Sequence, residues 1–259
     1  MQGCVCPHPP LLVPEVGRGH LDQAQATVDG MRRLADALGE RETIVIMSPH
    51  TPVHRAIFTV KAAAELHGDL GRFGAGSVRQ VHATDKELIE ALVETAALEG
   101  LEVLPVDDPL LDHGILIPLH FLRARKIVAL SIVADYAPHR ALGVAVRTAC
   151  QALGRADVAF VASGDLSHRL LPGAPAGYDE RGSVFDRRIV ELLSEGDFEA
   201  LQELDADLVE RAGECGLRSL MALGGFLGED ASRNPQIFSY EGPFGVGYLV
   251  AGFNLEAVS

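Results

Sequence analysis

Residues 43–50 read Thr-Ile-Val-Ile-Met-Ser-Pro-His, a short apolar run that ends in serine, proline and histidine. Such a run, bounded by proline, is typical of a strand whose two faces are both covered. His50 then lies just beyond the carboxyl end of the strand. A predicted strand is also followed by a histidine at His8 and at His168. This repeated pattern is the starting point for both the fold and the site.

Short apolar runs alternate with longer segments of helical period along the rest of the chain, a pattern that places helices on both faces of a sheet. We therefore predict one α/β domain over residues 1–259, of which 47% are hydrophobic. The predicted strands are 2–6, 43–48, 56–61, 101–106, 126–134, 157–163, 236–240 and 245–253. The predicted helices are 19–39, 84–99, 138–153, 180–194, 197–204 and 214–227. The last two strands flank a Glu-Gly-Pro turn, which predicts an antiparallel hairpin at one edge of a mixed sheet.

The composition restricts the kinds of partner. A formal net charge of −14 argues against nucleic acid and against an anionic membrane, since both select for clusters of lysine and arginine. The four cysteines show neither CxxC spacing nor the density of a disulfide framework, so we expect a reducing, cytoplasmic location. We find no signal peptide and no apolar run long enough to span a membrane. Small molecules or proteins are the partners that these features favour.

Several common active-site motifs are missing from the sequence. The glycines of residues 71–77, Gly-Arg-Phe-Gly-Ala-Gly-Ser, do not match the dinucleotide fingerprint. Neither a P-loop nor a GxSxG motif occurs. Nucleotide hydrolysis and serine hydrolysis therefore lack their key residues.

The polar residues at the strand ends predict a metal site. His8, His50 and His168 each follow the carboxyl end of a strand, the edge at which ligands collect in open α/β sheets. Glu214 precedes an apolar helical segment, so its carboxylate could face the same crevice. Two imidazoles and one carboxylate on one face of Fe(II) leave positions open for substrate and dioxygen. The remaining histidine could act as a proton-transfer base near neutral pH.

These stretches, taken together, resemble a known family. The chain is similar over nearly its whole length to the class III extradiol ring-cleaving dioxygenases with a catalytic chain of the LigB type, and to their Memo-like relatives. The resemblance lies in five motifs in the family's order: PHPP around His8, SPH at His50, DHGILIPL at His113, SGDLSH at His168 and AGECGLRS at Glu214. It implies a three-layer α/β/α sandwich around a mixed, mostly parallel sheet.

The resemblance also implies a reaction. His8, His50 and Glu214 would bind Fe(II), His168 would be the acid/base, and His113 would contact substrate or an oxygen species. The chain would then be an oxidoreductase of aromatic catabolism that cleaves a catechol-type ring and incorporates both atoms of dioxygen. Some relatives use a separate small subunit, and the C-terminal hairpin could pair two copies into a homodimer. The sequence leaves both arrangements open.

Other ligands and other functions stay open on the sequence alone. Cys215 lies beside Glu214, and Memo-like relatives carry a cysteine ligand near this point. A thiolate ligand would favour copper or zinc, and the chain would then be a metal-binding or redox protein without ring-cleaving activity. Glu241, in a predicted hairpin turn, is a second-choice metal ligand. Zinc-assisted hydrolysis would use the same residues. We expect Asp165 and Ser167 to shape the strand end or to orient His168.

Overall fold

The structure is a computed structural model that describes residues 1–229 and 234–255. Within these ranges the chain forms ten strands and eight α-helices. The strands are β1 (Gln2–Cys6), β2 (Glu40–Ser48), β3 (Ile57–Lys61), β4 (Glu65–Leu70), β5 (Ala75–Thr84), β6 (Glu102–Val106), β7 (Arg123–Ser131), β8 (Val158–Ser163), β9 (Gln236–Glu241) and β10 (Tyr248–Phe253). The α-helices are α1 (Pro14–Gly17), α2 (Gln25–Leu38), α3 (Lys86–Leu98), α4 (His113–Phe121), α5 (Pro138–Ala152), α6 (Glu180–Glu195), α7 (Ala206–Ala212) and α8 (Leu217–Leu227).

All ten strands form one mixed sheet. Its main order is β4-β5-β7-β2-β8-β1-β10-β9, while β3 pairs with β6 and β7 beside this path. The central strands β7, β2, β8 and β1 are parallel to one another. The C-terminal strands β9 and β10 form the predicted antiparallel hairpin, with β9 at the sheet edge. Parallel β2, β8 and β1 therefore direct their carboxyl ends to a common edge, which is where the site forms.

Helices cover both faces of this sheet, as predicted. Along β2, Val45 and Met47 point into one hydrophobic core while Ile44 and Ile46 point into the other. The first core contains side chains of α3, α5, α6 and α8, and the second contains side chains of α2 and α4. Because alternate side chains of a strand face opposite sides, an uninterrupted apolar run fills both cores. The result is the three-layer α/β/α sandwich.

Two glycines allow helices α5 and α8 to pack closely. A Cβ at Gly143 would lie 1.9 Å from the carbonyl oxygen of Ala222, and a Cβ at Gly225 would lie 2.0 Å from that of Arg140. No real side chain tolerates such distances, so glycine at both positions sets how near the helix axes approach. None of the helices within the described residues is long and apolar enough to cross a lipid bilayer.

The structure corrects the sequence prediction in four regions. Strands β4 and β5 were not predicted, because buried and exposed side chains alternate along them and no apolar run marks them. Helix α4 was not predicted as a helix, because its residues from Gly114 to Leu119 are all buried and show no helical period. The first long helix begins at Gln25 rather than residue 19, after a 3-10 turn at Leu21–Ala24. The predicted helix at 197–204 is a 3-10 turn at Ala200–Glu203, followed by the unpredicted α7.

Candidate metal centre

Three histidines from distant segments meet at the carboxyl edge of the central strands. His8 follows β1, His50 follows β2, and His113 is the first residue of α4. Ligand nitrogens of these three residues all lie within 4.8 Å of one another. The Nε2 atoms of His8 and His50 are 3.0 Å apart, and the ring centroids of His50 and His113 are 4.0 Å apart. Tertiary structure thus assembles a cluster of imidazoles.

The protein holds His8 in the tautomer that a metal ligand needs. The hydroxyl of Ser163 donates its proton to the carbonyl oxygen of Gly114. Ser163 must therefore accept the hydrogen bond that joins it to His8 Nδ1, 3.0 Å away. The proton of His8 then lies on Nδ1, and the lone pair of Nε2 faces the cluster. His8 is also nearly inaccessible, with 1% of its surface exposed.

Asp112 links the loop of His50 to the helix of His113. Its carboxylate accepts hydrogen bonds from the hydroxyls of Ser48 at 2.6 Å and Thr51 at 2.8 Å, which lie on either side of His50. The backbone N–H of His50 in turn donates to Ser48 Oγ. Since Asp112 directly precedes His113, its side chain ties the loop of His50 to the start of the helix that carries His113. Sequence reasoning missed this role, although the Asp-His pair at the start of DHG was a signal for it.

The environment favours neutral imidazoles in this cluster. Burial lowers the pKa of His8 well below its usual range, and repulsion from His50, His113 and His168 lowers it further. Burial is also the main cause that lowers the pKa of His50, and it lowers that of His113 to about 4. Neutral imidazoles have lone pairs available for a cation, so the cluster can bind metal without first releasing protons.

Cys215 belongs to a second group of possible ligand atoms that also contains His8. Its Sγ lies 3.8 Å from His8 Nε2, and ligand atoms of His8, Asp165 and Cys215 form a second group within 4.8 Å of one another. Asp165 accepts a hydrogen bond from the backbone N–H of His8, and its other carboxylate oxygen lies 3.8 Å from His8 Nε2. Asp165 therefore contacts His8, in addition to the two roles expected for it, which were to shape the strand end or to orient His168.

A close contact between two glycines brings the Cys215 loop to this position. A Cβ on Gly164 would lie 2.3 Å from the Cα of Gly216, so the SGD and ECG segments can meet only because both residues lack side chains. The backbone N–H of Cys215 donates to the carbonyl oxygen of Asp165, and the N–H of Asp165 donates to Cys215 Sγ. Burial raises the pKa of the thiol well above its usual range, and the nearby Asp165 carboxylate raises it further. Without a cation the sulfur is therefore a neutral thiol.

The structure does not place Glu214 with the histidines. Its side chain is 1% exposed, and its carboxylate accepts hydrogen bonds from the hydroxyl of Tyr136 at 2.8 Å and the backbone N–H of Leu217 at 2.6 Å. The guanidinium of Arg218 lies 4.0 Å from the same carboxylate. Both oxygens are thus engaged at the start of α8, and Glu214 belongs to neither group of metal-ligating atoms.

Glu241 and Ser167, which were also predicted as site residues, form hydrogen bonds with other parts of the chain. Glu241 accepts hydrogen bonds from the backbone N–H and the hydroxyl of Thr27, in the first turn of α2, and lies in neither ligand group. Ser167 donates to the carbonyl oxygen of Ala212 and accepts from the backbone N–H of Arg169. Ser167 therefore fixes the loop that carries His168.

His168 lies near the cluster but outside both ligand groups. Burial lowers the pKa of His168, and the charge of His50 lowers it as well. Its Nδ1 is buried and makes no hydrogen bond within the described residues. Hydrogen bonding to the backbone of Gly213 and Leu166 opposes this lowering of the pKa, so the imidazole is oriented by the chain on either side of it.

The spacing of these atoms fits a metal ion. Two nitrogens bound at about 2.1 Å to one ion lie about 3.0 Å apart at a right angle and about 3.4 Å apart at a tetrahedral angle, while a nitrogen and a thiolate at a tetrahedral angle lie about 3.6 Å apart. The corresponding distances here are 3.0 Å between His8 and His50, and 3.8 Å between His8 and Cys215. Donor type and spacing therefore suit an ion held by His8 together with either His50 or Cys215, which belong to separate groups of possible ligand atoms.

Comparison with known proteins gives the family. Residues 2–251 match the family described as the catalytic LigB subunit of aromatic ring-opening dioxygenase. Protein CA_C1420 of Clostridium acetobutylicum is 37% identical in an alignment of 270 positions, which covers 98% of this chain and 57% of that protein. The chain thus spans a little over half the length of this curated relative. The crystal structure of the uncharacterized protein JW3007 from Escherichia coli K12 superposes with a TM-score of 0.66 at 16% identity. It covers 98% of this chain and 100% of that one, and it shows the same fold. The match over almost the whole chain shows that this protein belongs to the LigB family of aromatic ring-opening dioxygenases.

Proposed function

We propose that this protein is an Fe(II)-dependent extradiol dioxygenase, which opens a catechol-type ring and incorporates both atoms of dioxygen. The observation that carries the metal centre is the meeting of His8, His50 and His113 with their nitrogens within 4.8 Å. Membership of a ring-opening dioxygenase family supports the reaction. Bound Fe(II) would supply coordination of the two substrate oxygens and of dioxygen at one centre.

In this proposal, the protein's own side chains bind the metal and move protons. His8 and His50 hold the ion, since their Nε2 atoms are 3.0 Å apart and His8 Nε2 carries a free lone pair. His168 accepts a proton from a ring hydroxyl, because it lies near His8 and His50 and burial lowers its pKa, which keeps the imidazole neutral. His113 contacts the substrate or dioxygen, since its ring lies 4.0 Å from that of His50.

The third ligand separates this function from a second candidate. Glu214 completes the ligand set of the resemblance, yet its carboxylate is engaged by Tyr136 and Leu217, while the sulfur of Cys215 faces His8. This observation favours a Memo-like protein in which His8, His50 and Cys215 bind copper or zinc and no ring is cleaved. The two candidates share the fold and the histidines and differ in one side chain.

Oxygen uptake by the anaerobically purified, Fe(II)-loaded protein tests the proposal against a panel of catechols. We expect uptake with formation of a coloured ring-fission product, and loss of both in His168→Ala while iron content is retained. Glu214→Gln and Cys215→Ser are the matched pair: loss of iron only in Glu214→Gln supports the dioxygenase ligand set. Tight metal binding that depends on Cys215, with no uptake on any catechol, overturns the proposal in favour of the Memo-like candidate.

A further inference from the structure

The loop that carries His168 leaves the central sheet after β8 and is bonded to two distant parts of the chain through its backbone. The N–H of Leu166 donates to the carbonyl oxygen of Gly247, and the N–H of Gly247 donates to the carbonyl oxygen of Ser167, both at 2.8 Å. The N–H of His168 donates to the carbonyl oxygen of Ala212, the last residue of α7, at 3.1 Å. The loop is thus fixed between α7 and the segment that leads into β10.

A carboxylate from a third element also holds this loop. Asp186 of α6 accepts a hydrogen bond through Oδ1 from the backbone N–H of Ser167, at 2.8 Å. Its other oxygen, Oδ2, accepts a hydrogen bond from the hydroxyl of Tyr240 in β9, also at 2.8 Å. One carboxylate therefore joins α6 and the C-terminal hairpin to the residue that directly precedes His168.

Two glycines leave room for these side chains. A Cβ at Gly247 would lie 2.0 Å from Asp186 Oδ2, and a Cβ at Gly182 would lie 2.4 Å from Ser167 Oγ. A larger residue at either position would displace the side chain that it meets. Packing as well as hydrogen bonding therefore sets the position of the carboxylate.

Asp186 occupies a place where a carboxylate is costly. The residue is 0% exposed, and its hydrogen bonds come from a backbone N–H and a phenol hydroxyl rather than from a basic side chain. Burying an acid in this way costs free energy, whereas an apolar side chain would fill the same space without that cost. What the carboxylate adds is the directional hydrogen bond to the loop of His168.

We propose that Asp186 is a positioning residue, which acts through Ser167 to hold the His168 imidazole at the metal centre, with Tyr240 keeping the carboxylate in place. This inference rests on the proposed function, because it concerns the proton transfer assigned to His168. A base must lie within hydrogen-bond reach of the proton that it accepts, and a misplacement of about 1 Å can lower a rate about 100-fold.

Three substitutions test the contacts separately. Asp186→Ala removes both hydrogen bonds, and Tyr240→Phe removes only the one from β9. Asp186→Asn keeps an acceptor for the N–H of Ser167 and can donate to the Tyr240 hydroxyl. For oxygen uptake on catechol by the Fe(II)-loaded protein, we expect kcat to fall on the order of 10- to 100-fold in Asp186→Ala and about 3- to 10-fold in Tyr240→Phe. Asp186→Asn should restore kcat to near the wild-type value.

A change in kcat alone is the signature of a misplaced base. KM and iron content should stay within about twofold of the wild type in all three variants, because the ring and the ion are held by other residues. Glu191→Ala is the matched control, since it removes an exposed acid of the same helix that pairs only with Arg188. This control should leave kcat unchanged.

The ring signals of His168 give a measurement that does not depend on turnover. They are recorded by NMR on metal-free protein with isotope-labelled histidine and are assigned by comparison with His168→Ala. Asp186→Ala should shift and broaden them, and Asp186→Asn should return them to their wild-type positions. The signals of His54, an exposed residue, should stay constant throughout.

These outcomes separate the positioning role from a general effect on stability and from ring cleavage. A lower melting temperature with kcat and the His168 signals unchanged overturns the positioning role. If Asp186→Ala does not fold, Tyr240→Phe decides in the same way. Shifted His168 signals without oxygen uptake by the wild type support the positioning role and overturn ring cleavage. Uptake by the wild type, with kcat and the His168 signals unaltered in the variants, supports ring cleavage and overturns the positioning role.

Discussion

The Nε2 atoms of His8 and His50 lie 3.0 Å apart, although 42 positions separate the two residues in the chain. Without a cation, Nε2–H of a neutral His50 donates to the lone pair of His8 Nε2; with the His50 proton on Nδ1 instead, both lone pairs face a shared space, which is the arrangement of two ligands on one ion.

Replacing either histidine should therefore abolish tight metal binding. We expect His8→Ala and His50→Ala to lose stoichiometric metal after dialysis, as measured by elemental analysis. His54→Ala is the matched control, because His54 is an exposed residue four positions beyond His50 and belongs to neither ligand group. Unchanged metal content in His8→Ala would contradict the assigned centre.

Cys215 and Glu214 should differ in their effect on the bound ion. If the sulfur is a ligand, the Co(II)-substituted protein should show a thiolate-to-metal charge-transfer band that Cys215→Ser removes. Glu214→Gln should retain the band and lower the stability, because it weakens the hydrogen bonds to Tyr136 and Leu217 by about 1–3 kcal/mol. If the wild-type spectrum lacks the charge-transfer band, the sulfur is not a ligand, and Glu214 becomes the better candidate for the third ligand.

Asp112 should matter for metal affinity although it is not a metal ligand in either group. Asp112→Ala removes the acceptor that holds Ser48 and Thr51, and with them the loop of His50. We expect metal affinity to fall on the order of 10- to 100-fold, as for other residues that orient ligands. Asp112→Asn keeps one acceptor oxygen, so its metal affinity should lie between those of Asp112→Ala and the wild type. Asp107→Ala, at an exposed position nearby, should leave the affinity unchanged. Competitive titration with a chelator measures all three.

Asp186 should make the protein less stable as pH rises through the mildly acidic range. Burial raises the pKa of Asp186 to about 6, from an ordinary value of 3.8, despite hydrogen bonds from Ser167 and Tyr240. Between these values the folded chain holds a proton that the unfolded chain has released, so the free energy of unfolding decreases as pH increases. A rise of about two pH units in pKa corresponds to on the order of 3 kcal/mol.

Urea unfolding at a series of pH values from 4 to 7 measures this dependence. Asp186→Asn should flatten this part of the curve, because it removes the titrating group. Asp107→Asn, which changes an exposed carboxylate, should leave the curve parallel to that of the wild type. Parallel curves for Asp186→Asn and the wild type would show that Asp186 does not titrate in this range.

Local sequence determined the layers of the fold and the order of the site motifs. The apolar run of β2 predicted a strand covered on both faces, and the histidines that follow β1, β2 and β8 had to lie at one edge once those strands were parallel. Strands β4 and β5, at one end of the sheet, escaped prediction because about half of their side chains face solvent, so their hydrophobic signal is weak. The turn between these two strands, which carries Arg72 and Phe73, was missed for the same reason.

Only the tertiary structure decided which side chain next to Gly216 faces His8. The sequence places Glu214 and Cys215 side by side, and nothing local to that segment distinguishes their directions. The hydroxyl of Tyr136 and the start of α8 engage the carboxylate, while contact of Gly216 with Gly164 brings the sulfur to the histidines. A side chain's direction in a loop depends on partners far away in the chain. Composition and spacing thus identify the candidate donors, and packing between distant segments selects among them.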